Sequence, residues 1–225
     1  MALLDLFKKK DKQKMYLYTE EELEKYENFI KEEFGDYEEV IHEIVSPDIH
    51  LDIIVIKPTK ENNYYKLITM GMGAYKMNVP KELKKYKLER AELALFLPPD
   101  WDIKSTKEED YWPIRQLKSL ARVPIQNNTW LGYGHTVSAD ANNTPYASNT
   151  KFCSMLILGA LNKNNEVVEL KLNDNESINF YQLYPIYREE LMFIQQNGKR
   201  NFPIYDETLM PLDMKRENNC IIKKQ

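Results

Sequence analysis

Hydrophobic positions near the start of the chain recur with the period of an amphipathic helix. Residues 19–34 begin with Thr19 and three glutamates, a sequence that can cap a helix and complement its dipole. Gly35 then stands where helices often end. The apolar face consists of Leu23, Tyr26, Phe29, Ile30 and Phe34. This pattern predicts a helix over residues 19–34.

The middle of the chain shows the shorter patterns of β-strands. Residues 50–56 carry apolar side chains on both faces, which is typical of an interior strand that is covered on two sides. Pro58 ends that segment, and Pro98 ends a later one. We predict strands at residues 38–45, 50–56, 64–70, 91–97, 152–161, 167–172 and 178–183.

Helical spacing returns in two later segments. Residues 110–121 share an apolar face, with Pro113 in the first turn, where proline is tolerated. Residues 185–196 form the last predicted helix, and Gly198 follows its end. Residues 123–150 are polar and rich in asparagine, so we predict a mostly irregular connection. Connections of this length are usually functional or mobile.

The order of these elements favours one fold class. Because the helices flank a cluster of strands and do not alternate with them, we predict an α+β fold with a mixed, largely antiparallel β-sheet and flanking helices. The predicted domains are a flexible basic N-terminal tail at residues 1–18, a single domain at residues 19–200, and a partly irregular C-terminal extension at residues 201–225.

Composition narrows the function classes. A chain of 225 residues with 43% hydrophobic residues can bury one substantial core, and its net charge of −4 disfavours nucleic-acid binding. No segment reaches the roughly 20 apolar residues that span a bilayer, and the N-terminus lacks the order of a secretory signal. We therefore expect a cytoplasmic protein without stable membrane insertion. Cys153 and Cys220 are expected as reduced thiols, with a lone disulfide as the alternative.

Two sets of residues could carry chemistry. His50 and Asp52 lie on one face of a predicted strand, as metal ligands or as a base with its orienting acid. The chain has only three histidines, so a structural pair is the favoured interpretation and no metal is predicted. His135 lies in a glycine- and aromatic-rich segment of the kind that loops expose for use, yet no nucleophile is identifiable beside it.

Two glycine-flanked segments are further candidates. Gly71-Met72-Gly73 follows a strand but lacks the other residues of a phosphate loop, so no nucleotide cofactor is predicted. We expect a bend there; an exposed Met72 could serve as a contact, although most such positions have a structural role. Tyr133 lies between two glycines in the second segment. Trp101 and Trp130 are expected to be partly exposed, since tryptophan is common at protein interfaces.

Several segments resemble the suppressor-of-fused domain family, in its short bacterial type. The matching segments are HLDIIVIKPT (50–59), YYKLITMGMG (64–73), RAELALFLPPDW (90–101), YWPIRQLKSLA (111–121), WLGYGHTV (130–137) and YREELMFIQQNG (187–198). The resemblance implies that the framework positions of the family are His50, Asp52, Pro58, Thr59, Glu92, Leu93, Trp112, Pro113, Glu190 and Leu191.

The resemblance also implies a function. The metazoan family member binds a partner peptide as an added strand, and bacterial relatives are thought to be immunity proteins against polymorphic toxins. We therefore expect a non-enzymatic protein-binding domain with a protein partner such as a cognate toxin, and no cofactor. The alternative is a hydrolase that uses His135 or the His50/Asp52 pair. Candidate partner-binding residues are Gly71, Met72, Gly73, Trp101, Trp130, Tyr133 and His135.

Overall fold

The computed structural model describes residues 15–202 and 211–220. These residues form both strands and helices. Within those residues the strands are β1 (Glu39–Ile41), β2 (Asp52–Ile56), β3 (Tyr65–Met70), β4 (Arg90–Leu97), β5 (Thr136–Ser138), β6 (Ser154–Gly159), β7 (Glu169–Asn173) and β8 (Glu176–Ile186). The α-helices there are α1 (Glu20–Glu33), α2 (Glu108–Leu120), α3 (Val123–Asn127) and α4 (Arg188–Asn197). Short 3₁₀ helices occupy Met72–Ala74, Lys81–Tyr86 and Lys199–Asn201.

All of these strands belong to one open sheet. Its order is β1-β2-β3-β4-β8-β6-β5, and β7 pairs with β8 beside that path. Only the β4–β8 pairing is parallel in the described sheet; the other pairings are antiparallel. The long strand β8 joins the two halves, since it pairs with β4 and β7 near its start and with β6 along its end. The predicted α+β class with a mixed, largely antiparallel sheet is confirmed.

The sheet buries apolar side chains on both faces. Every residue of β2 and of β4 is buried. Ile53 and Leu93 belong to the larger core cluster, which includes residues of α2, whereas Ile54 belongs to a second cluster beneath α1. The sequence pattern of residues 50–56 correctly indicated an interior strand, because only a strand covered on both sides can bury consecutive apolar residues.

Helix α1 begins as its sequence predicts. The Thr19 side chain accepts a hydrogen bond from the Glu22 amide, and the Glu22 carboxylate accepts one from the Thr19 amide. This reciprocal cap satisfies two amides that the first turn leaves without helical partners. Tyr26 and Ile30 lie on its buried face, where Tyr26 stacks on Phe180 of β8.

Several predicted boundaries are wrong. Strand β1 ends at Ile41, so residues 42–45 do not continue it. The last helix begins at Arg188, because Pro185 and Ile186 complete β8 by pairing with β6. Residues 123–150 are mostly irregular, as the sequence predicts, apart from the short elements α3 and β5.

Helix α2 starts earlier than predicted, which places Pro113 inside the helix. A proline at this position cannot donate to the carbonyl of Glu109. The side-chain amide of Asn149 donates to that carbonyl at 3.0 Å, so a distant loop supplies the missing hydrogen bond. Pro113 therefore does not lie in the first turn, because the helix begins two residues earlier than predicted.

Described residues at both ends of the chain contact the sheet region. Residues 1–14 of the expected basic tail lie outside the described residues, but Tyr16 forms a parallel bridge with Ile49 and the Tyr18 hydroxyl reaches Glu92. Near the other end, the Leu212 amide donates to the Phe96 carbonyl at 2.7 Å. No helix in residues 15–202 or 211–220 has the length and apolar composition needed to cross a membrane.

Candidate partner-binding surface

The segment between Trp130 and His135 forms a tight turn in which Tyr133 is exposed and the Trp130 and His135 rings are partly buried. The Trp130 and His135 rings meet edge to face, with centroids 4.3 Å apart. Tyr133 at the tip is 50% exposed. Gly132 leaves room for the Trp130 ring, since a Cβ there would lie 2.4 Å from it, and Gly134 has a φ of +80°. The two glycines therefore permit the turn that presents these three rings.

Lys199 packs across this turn. Its ammonium group lies 4.3 Å from the centre of the Tyr133 ring and donates to the Tyr133 carbonyl at 2.9 Å. Partial burial, together with the nearby positive charge of Lys199, lowers the pKa of His135. The imidazole is thus favoured in its neutral form, and the surface combines aromatic rings with a lysine rather than with a carboxylate.

The turn leads into β5, the last strand on this side of the sheet. The His135 carbonyl accepts from the Ile157 amide of β6, and the Ala139 amide donates to the carbonyl of Cys153, the residue before β6. Because backbone groups alternate along a strand, those of Thr136 and Ser138 point away from β6. No strand in the described part of the chain pairs with that outer side. Trp130, Tyr133 and His135 therefore lie at the start of an open sheet edge, which we call the β5 edge.

The other glycine pair, Gly71 and Gly73, lies in the interior. Met72 between them is 2% exposed, so the expectation of an exposed contact at Met72 is wrong. The Glu92 carboxylate accepts hydrogen bonds from the amides of both glycines, at 2.9 and 3.0 Å. It also accepts from the hydroxyls of Tyr18 and Thr69, both at 2.5 Å. This bend is held by a buried carboxylate and offers no surface to a partner.

Burial raises the pKa of Glu92, although its four hydrogen-bond donors act in the opposite direction. Leu93, the next framework residue, is fully buried in the main core. The family positions Glu92 and Leu93 thus have structural roles in this chain: one residue fixes the bend and the other fills the core.

Trp101 lies apart from the turn and packs against α2. Its ring meets that of Trp112 edge to face, and its indole N–H donates to the Asp110 carbonyl at 2.9 Å. Trp112 is fully buried and stacks on Tyr146, and Pro113 is buried beside it. The partial exposure expected for Trp101 is present, but the contacts of its indole belong to the packing of α2.

The His50/Asp52 pair belongs to a larger polar cluster. Asp52 accepts from the Glu43 amide at 2.9 Å and contacts two imidazoles, His42 at 2.9 Å and His50 at 3.3 Å. His42 was not among the predicted site residues, because its ten-residue separation from Asp52 becomes a contact only when β1 pairs with β2. Among the described residues, no group of three or more histidine, cysteine or acidic side chains is placed to hold a metal ion.

A serine completes this cluster. The Ser46 hydroxyl lies 2.9 Å from His50 Nδ1 and donates to Glu43 at 2.8 Å. Glu43 in turn receives the Arg122 guanidinium on both oxygens, at 2.6 and 2.7 Å. Because Ser46 gives its proton to Glu43, its oxygen is placed to accept from His50. A serine nucleophile must instead donate to its histidine.

The remaining framework residues stabilise connections. The Glu190 carboxylate is fully buried and receives Arg216 on both oxygens, at 2.7 and 2.6 Å, as well as the Tyr187 amide. It therefore both caps α4 and anchors the chain beyond residue 210, while Leu191 fills a small core cluster. Pro58 and Thr59 follow β2, where the Thr59 amide and hydroxyl close a turn on Asn62.

One apolar surface was not anticipated from the sequence. Ile44 is 98% exposed and Val45 is 78% exposed, just after the opposite edge strand, β1. Their apolar character was interpreted as part of a strand over residues 38–45. The structure places them instead in a loop beside His42 and His50, so they are a second exposed group next to a sheet edge.

Known proteins resemble this chain in sequence and in fold. The family model described as suppressor of fused protein matches residues 47–217. An uncharacterized protein of Ureaplasma parvum serovar 3 is 32% identical over 188 residues, which cover 82% of this chain and 88% of that protein.

Two solved structures share the fold. A protein described as a suppressor-of-fused homologue from Neisseria gonorrhoeae superposes with a TM-score of 0.55 at 19% identity, covering 88% of this chain and 93% of that one. A chain of the Sufu–Fu complex superposes with a TM-score of 0.50 at 13% identity, covering 76% and 77%. The chain belongs to the suppressor-of-fused family.

Proposed function

We propose that this member of the suppressor-of-fused family is a non-enzymatic, cytoplasmic protein-binding domain that neutralises a bacterial toxin by covering part of its surface. The observation that carries the proposal is the β5 edge, where an open strand adjoins Trp130, Tyr133 and His135. An extended segment of the partner can pair with the outward groups of Thr136 and Ser138, while its side chains contact the aromatic rings.

Strand addition suits this surface for two reasons. Backbone hydrogen bonds along an edge give affinity with little dependence on sequence, and adjacent rings give selectivity. Tyrosine and tryptophan are also the residues on which binding energy most often concentrates. A relative in the same family has been crystallised as the Sufu–Fu complex, so family members form complexes with protein partners.

The polar clusters favour binding over catalysis. The His135 ring packs against Trp130 and lies near the positive charge of Lys199. These neighbours suit an imidazole with a packing role, whereas a general base is usually paired with an acid. His50 and Asp52 lie in a cluster in which Ser46 donates to Glu43. These contacts connect β1, β2 and Arg122, so the cluster has a structural role.

The toxin as the partner follows from the likeness to short bacterial family members. The net charge of −4 adds electrostatic attraction to a basic partner such as a nuclease, and attraction of this kind mainly raises the association rate.

Co-expression with a candidate toxin encoded beside this gene tests the proposal. We expect the wild type to restore growth, the double variant W130A/Y133A to lose most of the protection, and His135→Ala to retain it. Tyr86→Ala is the matched control, because Tyr86 is also an exposed aromatic residue, at 56%, on a different element. Thr136→Pro should also weaken protection, since proline removes an outward amide from an edge strand.

The same assay separates the alternatives. If Ile44→Asp lost protection while W130A/Y133A retained it, the contact surface would be assigned to the β1 edge. Loss in His135→Ala or His50→Ala, in protein whose unfolding transition is unchanged, would support the hydrolase if the purified wild type also turned over a substrate. Equal loss in Tyr86→Ala and W130A/Y133A would contradict the β5 edge as the contact surface.

A further inference from the structure

A basic cavity opens away from the β5 edge, between three segments of the chain. Its volume is about 320 Å³, within the lower range of small-ligand sites. One wall comes from residues 76–79, the second from the end of the Lys81–Tyr86 helix, and the third from the turn between β7 and β8. The cavity is thus built by elements that are far apart in sequence.

Positive charge is concentrated in this cavity. Four basic side chains line it against two carboxylates, although the whole chain carries a net charge of −4. Glu176 already pairs with Lys76 and with Arg90. Within the described residues, no acidic side chain lies within ion-pair distance of Lys84 or Lys87. These two ammonium groups are therefore available to an external anion.

A buried hydroxyl also lines the cavity. Ser177 is 1% exposed, and its Oγ has no hydrogen-bond partner among the described residues. A hydroxyl buried without a partner is unfavourable, because it has lost its hydrogen bonds to water and gained none in return. A ligand oxygen in the cavity would supply that partner.

We propose that this cavity binds a phosphate group, with Lys84 and Lys87 supplying charge and Ser177 Oγ donating to a phosphate oxygen. Phosphate fits this set of groups because lysine binds it as a point charge and a hydroxyl adds direction. Of the two carboxylates in the lining, Glu176 is paired with Lys76 and Arg90, which offsets its repulsion of an anion. The inference is independent of the proposed toxin partner.

Nuclear magnetic resonance of the ¹⁵N-labelled full-length chain tests the site. Inorganic phosphate and 5′-AMP are titrated separately against sodium chloride of matched ionic strength. We expect saturable shifts of the Lys87 and Ser177 amides. The double variant K84Q/K87Q should weaken binding by about tenfold or more, because it removes two charge-assisted contacts. The matched double variant K81Q/K85Q removes the same charge from the Lys81–Tyr86 helix but outside the cavity, and should bind as the wild type does.

Each outcome decides the proposal. Tighter binding of 5′-AMP than of phosphate assigns the site to a phosphorylated small molecule, and equal binding assigns it to free phosphate. The absence of saturable shifts with both anions overturns the proposal, as does equal weakening by the two lysine pairs. Ser177→Ala, which removes the hydroxyl and keeps every lysine, should lower affinity; unchanged affinity would exclude Ser177 from the site.

Discussion

Two segments of this chain share the pattern glycine, large residue, glycine, yet one turns into the core and the other faces solvent. Met72 between Gly71 and Gly73 is 2% exposed, whereas Tyr133 between Gly132 and Gly134 is 50% exposed. Both segments connect to strands of the same sheet. Their difference comes from partners that lie far away in the sequence.

The buried turn has a carboxylate at its centre. Glu92 accepts from both glycine amides and from the hydroxyl of Tyr18, which lies just before α1. The exposed turn is held differently: the Trp130 ring fills the space beside Gly132, Lys199 crosses Gly134, and the Gly134 amide donates to the Ile157 carbonyl at 2.7 Å. A glycine pair therefore indicates a bend, but whether the bend is rigid and buried depends on what the fold brings to it.

The largest expected effect comes from a methyl group at the buried turn. A Cβ at Gly71 would lie 1.9 Å from the His50 carbonyl oxygen, and its φ of +128° disfavours any other residue. Gly71→Ala should lower the free energy of unfolding by about 3–5 kcal/mol. At Gly134 the φ is +80° and the added Cβ meets the flexible Lys199 side chain, so Gly134→Ala should cost only ~1–2 kcal/mol. Urea denaturation measures both, and equal losses would contradict the distinction.

The next effect tests the carboxylate itself. Glu92→Ala leaves the amides of Gly71 and Gly73 without an acceptor and should lower the unfolding free energy by about 2–4 kcal/mol. Glu61→Ala, at an exposed loop glutamate, is the matched control and should change stability by less than about 0.5 kcal/mol. A loss below ~1 kcal/mol in Glu92→Ala would show that the glycines alone define the bend.

Local signals made much of the fold predictable. Helix α1 was identified because its cap and its apolar spacing lie within one short segment. Strand β2 was identified because consecutive apolar residues require cover on both faces. The start of α2 was missed, since a proline normally belongs in a first turn, and only Asn149 explains how Pro113 is accommodated inside the helix.

The candidate site was less predictable for the same reason. The sequence indicated that Trp130, Tyr133 and His135 lie in a loop, and the structure shows their rings beside an open strand edge. It could not indicate that Met72 is buried, because this depends on Glu92 and Tyr18. The exposure of Ile44 was equally hidden, since an apolar residue after a strand normally continues it.

A smaller effect on stability should separate the two turns at their central residues. Tyr133→Ala removes a ring that is half exposed, so the free energy of unfolding should fall by less than about 1 kcal/mol. Met72→Ala empties a buried site and should cost ~2–4 kcal/mol. If Tyr133→Ala proved as destabilising as Met72→Ala, the exposed turn would be part of the core packing and a poor candidate for a partner surface.

The smallest effect concerns pH, which acts on the two turns in opposite directions. Burial raises the pKa of Glu92. The stability that comes from the tighter proton binding of Glu92 in the folded state is therefore complete below the unfolded pKa, and it is lost as pH rises through the folded pKa. Burial and Lys199 lower the pKa of His135. Its contribution is complete above the unfolded pKa of about 6.5 and is lost as pH falls through the folded pKa.

Comparison of the wild type with His135→Gln isolates the exposed turn, because every other titrating group is present in both proteins. The difference in unfolding free energy should be constant above about pH 7 and should shift against the wild type as pH falls below ~6, since only the wild type then gains a charge beside Lys199. The shift should be small, because the ring is partly exposed and solvent screens the repulsion. Sodium chloride should reduce it further. A difference that moved in favour of the wild type in acid would mean that protonated His135 finds an acceptor at the turn, and the neutral, packing role of the imidazole would have to be abandoned.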